Sequence, residues 1–402
     1  MTFPKLTTKK AAEAVRFCFP IIYFILAALS FNSLTAQTTF ITIFAVAVFI
    51  LCALRLLISW KDYFPLKEIP LLPICVLFFV SYAITTCVNA QYGWTENLKA
   101  LVWLGMCLLV IYPAGIIDKK CDAARESRMA DWMVKIVLGY SAFQAIGSIC
   151  TMIFVWNSFR SPNIYLGMNY GRLWGLYTDP NYGGVLSVVS ILLAAFYLMR
   201  HETKIWVRLM LYANMLLQYL YIGYGYSRTA QLTLIIALIP CYIYWLLTRK
   251  KKLIVKILVA VVVLITCVGF STVRNAYNAI AEAHNASSEG GENMAIISRN
   301  EEEEDDVSNG RFLMWEDGAE VLAKRPVFGV GYRNILPWMR ANMPDSYMVN
   351  HNEPLNTFHN MFVDVAVSQG GVGLIILLAA IVLIIIRITK NAKHYTDEQR
   401  DE

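Results

Sequence analysis

Charge is scarce in this chain. Asp, Glu, Lys and Arg make up 16% of its 402 residues, where a soluble domain carries roughly a quarter. Hydrophobic residues reach 57% and recur in runs of about 20, the length that crosses a hydrocarbon core of roughly 30 Å. A water-soluble enzyme is therefore excluded. Paired cysteines are missing too. The nine cysteines (18, 52, 75, 87, 107, 121, 150, 241 and 267) form no CxxC pair, and none falls in segment 271–358. Neither a disulfide framework nor a zinc site is supported, and the cysteines read as small apolar fillers. The short alternating segments of a membrane β-barrel are absent. So are the GxxxxGK[ST], GxGxxG and GxSxG patterns, which argues against soluble nucleotide chemistry.

What is present is a series of apolar runs. The hydropathy pattern predicts an all-α, polytopic helical membrane protein with about ten spans. They fall near 17–33, 38–59, 69–88, 98–117, 132–155, 181–199, 206–223, 229–247, 253–271 and 361–388. The first follows Lys5, Lys9, Lys10 and Arg16, and reads as an uncleaved signal-anchor because so many spans follow it. Basic residues gather in alternate connections: Lys61 and Lys67, 119–128, 200–208, 249–252 and 387–393. The positive-inside rule places these, and both termini, in the cytoplasm. The net charge of +6 is explained by that clustering and calls for no nucleic-acid partner.

The organisation expected is residues 1–270 as nine spans, 271–358 as one large extracytoplasmic loop, 359–390 as the last span and 391–402 as a cytoplasmic tail. Within the loop, 271–309 is acidic and poor in apolar residues, with Glu301–Glu304 and Asp305–Asp306 in a row. Such a composition reads as flexible and solvated. The run could hold a cation, but it lacks the alternating ligand spacing of a calcium loop. Residues 310–358 read as a folded cover. Asn309 is placed to cap a helix from Arg311, Phe312, Trp315, Ala319 and Leu322 follow at helical spacing, and Pro326 ends it.

Several residues stand out on the outer side. Arg228, in Ser227-Arg228-Thr229-Ala230, opens a span where cations are few; it either snorkels to the headgroups or binds an anion. Arg311, after Gly310 at a helix N-terminus, suits a phosphate, or is an ordinary solvated arginine. Arg333, in Gly329-Val330-Gly331-Tyr332-Arg333, is similar. His359 stands at the mouth of the last run, where an imidazole can take a proton from a hydroxyl or simply bond to backbone. Its neighbour Asn360 shares that mouth. Asp364, five residues on, is poorly spaced to pair with His359. Asp179-Pro180-Asn181 reads as a helix cap first and a binding element second. Arg172 lies in the same outer segment, 156–180.

In this order, Ser227-Arg228-Thr229-Ala230, Gly310-Arg311 with Trp315, Phe328-Gly329-Val330-Gly331-Tyr332 and His359-Asn360 leading into Gly370-Gly371-Val372-Gly373 resemble the O-antigen ligase and polymerase superfamily over roughly 180–388. Gln369 stands where that family commonly has an acidic residue, and ten to twelve spans of a GT-C-like fold are implied. The resemblance implies transfer of a glycan from an undecaprenyl-pyrophosphate donor to an acceptor glycan on the outer face of the plasma membrane. The acceptor would be a lipid-linked repeat, lipid A core or glycoprotein. Arg228 and Arg311 would bind the diphosphate. His359 would act as general base or steady the leaving group. Arg172, Arg333, Asp179 and Asn360 would contact substrate. No cofactor and no metal are implied, since arginines take the electrostatic role. Polymerase and ligase differ only in acceptor, which the residues do not separate. A flippase for lipid-linked sugars is the rival reading, and it predicts charged or broken helices near the midplane.

Overall fold

A computed structural model describes residues 8–36, 38–63, 69–121, 123–161, 164–248, 252–287, 293–298, 310–350 and 355–398. The helices in chain order are α1 (Thr8–Ser30), α2 (Thr38–Ser59), α3 (Leu72–Val88), α4 (Ala90–Gly105), α5 (Tyr112–Cys121), α6 (Ala123–Ile153), α7 (Pro180–Arg200), α8 (Ile205–Tyr224), α9 (Arg228–Thr248), α10 (Leu253–Val268), α11 (Phe270–Ser287), α12 (Arg311–Lys324), α13 (Ile335–Asn342), α14 (Tyr347–Asn350) and α15 (Met361–Glu398). A π-helical turn, Met106–Ile111, joins α4 to α5. Among the described residues six helices are long and apolar enough to cross a membrane, or seven if α10 and α11, bent by 58°, make one broken span. The ten-span count also used α3, α8 and α9, of which α3 and the described part of α9 are shorter apolar helices. Side chains facing outward on α15, Ile375, Leu378, Val382, Ile385 and Ile388, are exposed and apolar, as a helix bathed in lipid requires.

The chain divides into two compact units. The first comprises residues 1–16, 51–123 and 306–402. Here α3 packs on both α4 and α15, and α12 packs on α15. Segment 310–358 supplies its own core, in which Met314, Val321, Ile335, Trp338, Met339 and Phe358 are buried together. A buried ion pair, Arg55 Nη2 to Asp118 Oδ1 at 2.6 Å, fixes the end of α2 to α5. Removing one partner of such a pair costs about 3–5 kcal/mol, because the other charge stays buried.

The α15 helix is interrupted at Gly370 (φ 69°). That break lets Pro326–Gly331 pair with it along the backbone. Val330 N–H donates to Val367 O (2.9 Å), Gly331 N–H to Ser368 O (2.9 Å) and Gly371 N–H to Pro326 O (2.7 Å). A Cβ on Gly370 would collide with the Val327 carbonyl, and one on Gly329 (φ 60°) with that of Val367. Only glycine permits this approach.

The second unit comprises residues 17–50 and 124–305. Its helices are tied by buried polar side chains. Ser141 and Asn214 both donate to the Ser190 hydroxyl (2.7 and 2.9 Å), and Gln218 donates to Asn214 (3.0 Å). Such interhelical bonds hold helices together where no hydrophobic gradient does so.

Three expectations are corrected here. The chain is not wholly α. Strands β1 (Ser158–Ser161), β2 (Ile164–Asn169) and β3 (Arg172–Gly175) form an antiparallel sheet in order β1-β2-β3. Aromatic residues hold it, with Tyr165 edge-on to both Phe159 and Trp174. The segment after 270 is also not a solvated excursion where it is described. α11 is helical, and 293–298 lies along it: Tyr277 donates to Ala295 O (3.0 Å), and Asn278 exchanges two bonds with Ile297. These few polar anchors were invisible to a composition argument. The acidic run 301–306 lies outside the described residues. Finally, the α12 cap is Gly310 in a left-handed conformation, while Asn309 lies outside the described residues.

Candidate active site

In the first unit, α3, α4, the π-turn, the 3-10 turn Tyr332–Asn334 and the start of α15 enclose a cavity of about 610 Å³. Its walls are apolar, from Phe78, Trp103 and Leu104, while Arg333, His359, Asn360 and Asp364 add polar groups. Three sequence-derived candidates, Arg333, His359 and Asn360, thus meet in one place. Arg311, the first residue of α12 in the same unit, is exposed and does not line that cavity.

His359 is held from several directions. Its backbone is left-handed (φ 50°), a strained state for a side-chain-bearing residue that persists only when its surroundings enforce it. They do so as follows. Phe358 is buried in the core, and its carbonyl accepts from Trp315 Nε1 (2.9 Å). Asp364 accepts from the Thr357 hydroxyl and from Phe358 N–H, both at 2.8 Å. The Thr357 hydroxyl oxygen accepts from His359 N–H (3.2 Å). Asp364 therefore reaches His359 through the Thr357 hydroxyl and the Phe358 backbone. Asn360 caps α15, its Oδ1 accepting from Phe362 N–H (3.0 Å).

Arg333 is placed by three buried asparagines. Asn97 Oδ1 accepts from Arg333 N–H (3.0 Å), and Asn97 Nδ2 donates to Asn334 Oδ1 (2.7 Å). Asn334 Nδ2 donates to Asn89 O (2.9 Å), and Asn89 Nδ2 to Gly329 O (3.2 Å). This network secures the turn to the α3–α4 junction and leaves the Arg333 guanidinium over the Tyr332 ring at 5.1 Å.

In the second unit, Arg172, Asp179 and the α8–α9 turn form another cluster. Arg172 Nε donates to Gly225 O and its Nη2 to Asn181 Oδ1, both at 3.0 Å. The Ser227 hydroxyl donates to the same Asn181 oxygen (2.9 Å). Asp179 caps α7 by accepting from Asn181 N–H (2.6 Å). These bonds position the residues before Arg228, which begins α9 with an exposed side chain. Arg172 and Asp179 thus shape this corner.

Sequence reading missed Arg274. Its guanidinium stacks 3.9 Å from the Tyr226 ring centroid, two residues from Arg228. Tyr226 itself is left-handed (φ 49°). The available signal was an arginine just after the apolar run 253–268. Among the described residues no group of three His, Cys, Asp or Glu side chains converges as a metal site would.

A search of curated proteins gave no match. Residues 213–378 match the family described as O-antigen ligase. That stretch holds Arg228, Arg274, Arg311, Arg333, His359 and Asn360, and leaves out Arg172 and Asp179. Over residues 213–378 the chain is thus similar to the O-antigen ligase family, and its long apolar helices make it a polytopic helical membrane protein.

Proposed function

We propose that the chain is a membrane glycosyltransferase that takes a glycan from an undecaprenyl-pyrophosphate donor and passes it to an acceptor glycan on the outer face of the plasma membrane. The observation that carries this reading is the His359 cavity. It combines an apolar wall suited to an isoprenoid with a histidine and an arginine suited to the reacting groups. His359 takes the proton of the acceptor hydroxyl. The acceptor oxygen bonds to the anomeric carbon of the donor sugar, and the bond from that carbon to the diphosphate oxygen breaks. The diphosphate departs on its lipid with the electron pair.

Arginines meet the charge that develops on the leaving group. Fixed cations in a water-poor site act strongly on it, and losing one such contact costs about 10²–10³ in rate. Arg228 and Arg311 take this role, with Arg333 of the cavity lining as a further cation; no metal is needed. Arg172, Asp179 and Asn360 position their neighbours and contact substrate. Both termini are cytoplasmic, and ten to twelve spans of a GT-C-like arrangement carry the loop outside, with its later part folded as a cover. The basic connections support that orientation.

The test is reconstitution with a carrier-linked oligosaccharide, comparing wild type with Arg228→Ala, Arg311→Ala and His359→Ala. Each variant should fold and lose at least about 10²-fold in turnover. Full activity in all three folded variants would remove the site assignment.

A further inference from the structure

A second cavity of the first unit, about 660 Å³, lies where the start of α3 meets the far end of α15. It is remote from His359. On α15 the His359 cavity touches residues up to Gln369 and the second cavity begins at Leu383, 14 residues on, which at 1.5 Å each is roughly 20 Å. On α3 the two meet, the second cavity taking Leu71 to Leu77 and the His359 cavity Phe78 and Tyr82.

Its lining divides in two. Ile74, Leu77, Leu383 and Ile386 make an apolar trough, and Arg387 and Lys390 stand together at one end. Both cations lie on α15, one turn apart, with exposed side chains. Leu71, the N-cap of α3, lines the same cavity and offers no side-chain cap. The two cations repel one another unless an anion joins them. Among the described residues lining this cavity none is acidic. An anionic group fits between the two cations, and the trough beside it fits hydrocarbon.

We propose that this cavity binds one anionic phospholipid of the leaflet opposite His359. Its phosphate lies between Arg387 and Lys390, and an acyl chain lies along Leu77 and Ile386. Basic pockets between spans that hold anionic headgroups work in this way. A zwitterionic lipid fits less well, because its own cation would meet Arg387.

The experiment uses the full chain in nanodiscs of dioleoyl-phosphatidylcholine, with or without dioleoyl-phosphatidylglycerol. Melting temperature and retained lipid, the latter by native mass spectrometry, are read together. Wild type should gain about 3 °C or more from phosphatidylglycerol and retain one copy preferentially. Arg387→Gln/Lys390→Gln should lose most of that gain and the retained copy. Lys204→Gln/Arg208→Gln, which removes the same charge elsewhere, should keep both. Should the first double variant not fold, Leu77→Trp fills the trough with both cations intact and should also release the lipid. No preference in wild type, an unchanged preference in the folded pocket variants, or an equal loss in the control pair would each overturn the proposal.

Discussion

At the scale of single residues, the His359 mouth is built from short-range bonds. Asp364 reaches back six and seven residues to Phe358 and Thr357, and Trp315 supplies a long-range anchor. Asp364 is thus a positioning residue. Asp364→Ala should lower kcat by about tenfold or more while leaving the pH profile set by His359 in place. Asp364→Asn, which keeps an acceptor oxygen, should restore much of the rate. A shifted pH profile in Asp364→Ala would instead make Asp364 a direct partner of the imidazole. The His359-Asn360 and Ser227-Arg228 signals were legible because each is a contiguous string at a span mouth. Arg274 and the network of Asn89, Asn97 and Asn334 were not, since their partners lie far along the chain. The Asn97–Asn334 bond joins residues 237 apart, and no local pattern announces it.

At the scale of elements, the join between Pro326–Gly331 and the break in α15 decides how the cover meets the last span. Gly370→Ala forces a side chain into a left-handed backbone, at about 1–3 kcal/mol, and into the Val327 carbonyl. A lowered melting temperature is expected, and an unchanged one would contradict the join. A second element test concerns α14, held on α12 by Asp317, which accepts from Met348 N–H (2.9 Å). Burial pushes the Asp317 carboxyl above its ordinary value, outweighing the backbone bonds that pull it down. A raised folded-state value means the folded protein holds this proton more tightly than the unfolded chain. That contribution is complete below the ordinary carboxylate range and is lost as pH rises through the raised value. Wild type minus Asp317→Asn melting temperature should fall across that window; a rising difference would reverse the assignment. Long apolar helices were readable at this scale because length and hydropathy suffice. The β1–β3 sheet and the 293–298 segment were not, since three short strands and a few Asn and Tyr anchors leave little periodicity.

At the scale of the whole molecule, the basic connections predict which face holds the site. Single cysteines at Lys250→Cys and Asn300→Cys in a Cys-free background test that directly. An impermeant thiol reagent should label position 300 from outside and not 250, and the opposite pattern would invert the orientation. The membrane class, and the similarity of residues 213–378 to the O-antigen ligase family, were legible from composition and from four ordered motifs. The division into two compact units was not, because each unit gathers segments far apart in sequence. The central claim is that His359 drives glycosidic bond formation against a lipid diphosphate. The most direct measurement follows released carrier diphosphate and new glycosidic bonds together in proteoliposomes carrying donor and acceptor. Wild type should give one of each per turnover, and folded His359→Gln should give both about 10²–10⁴-fold more slowly. Undiminished bond formation in His359→Gln, or donor movement across the bilayer with no bond formed, would contradict the account.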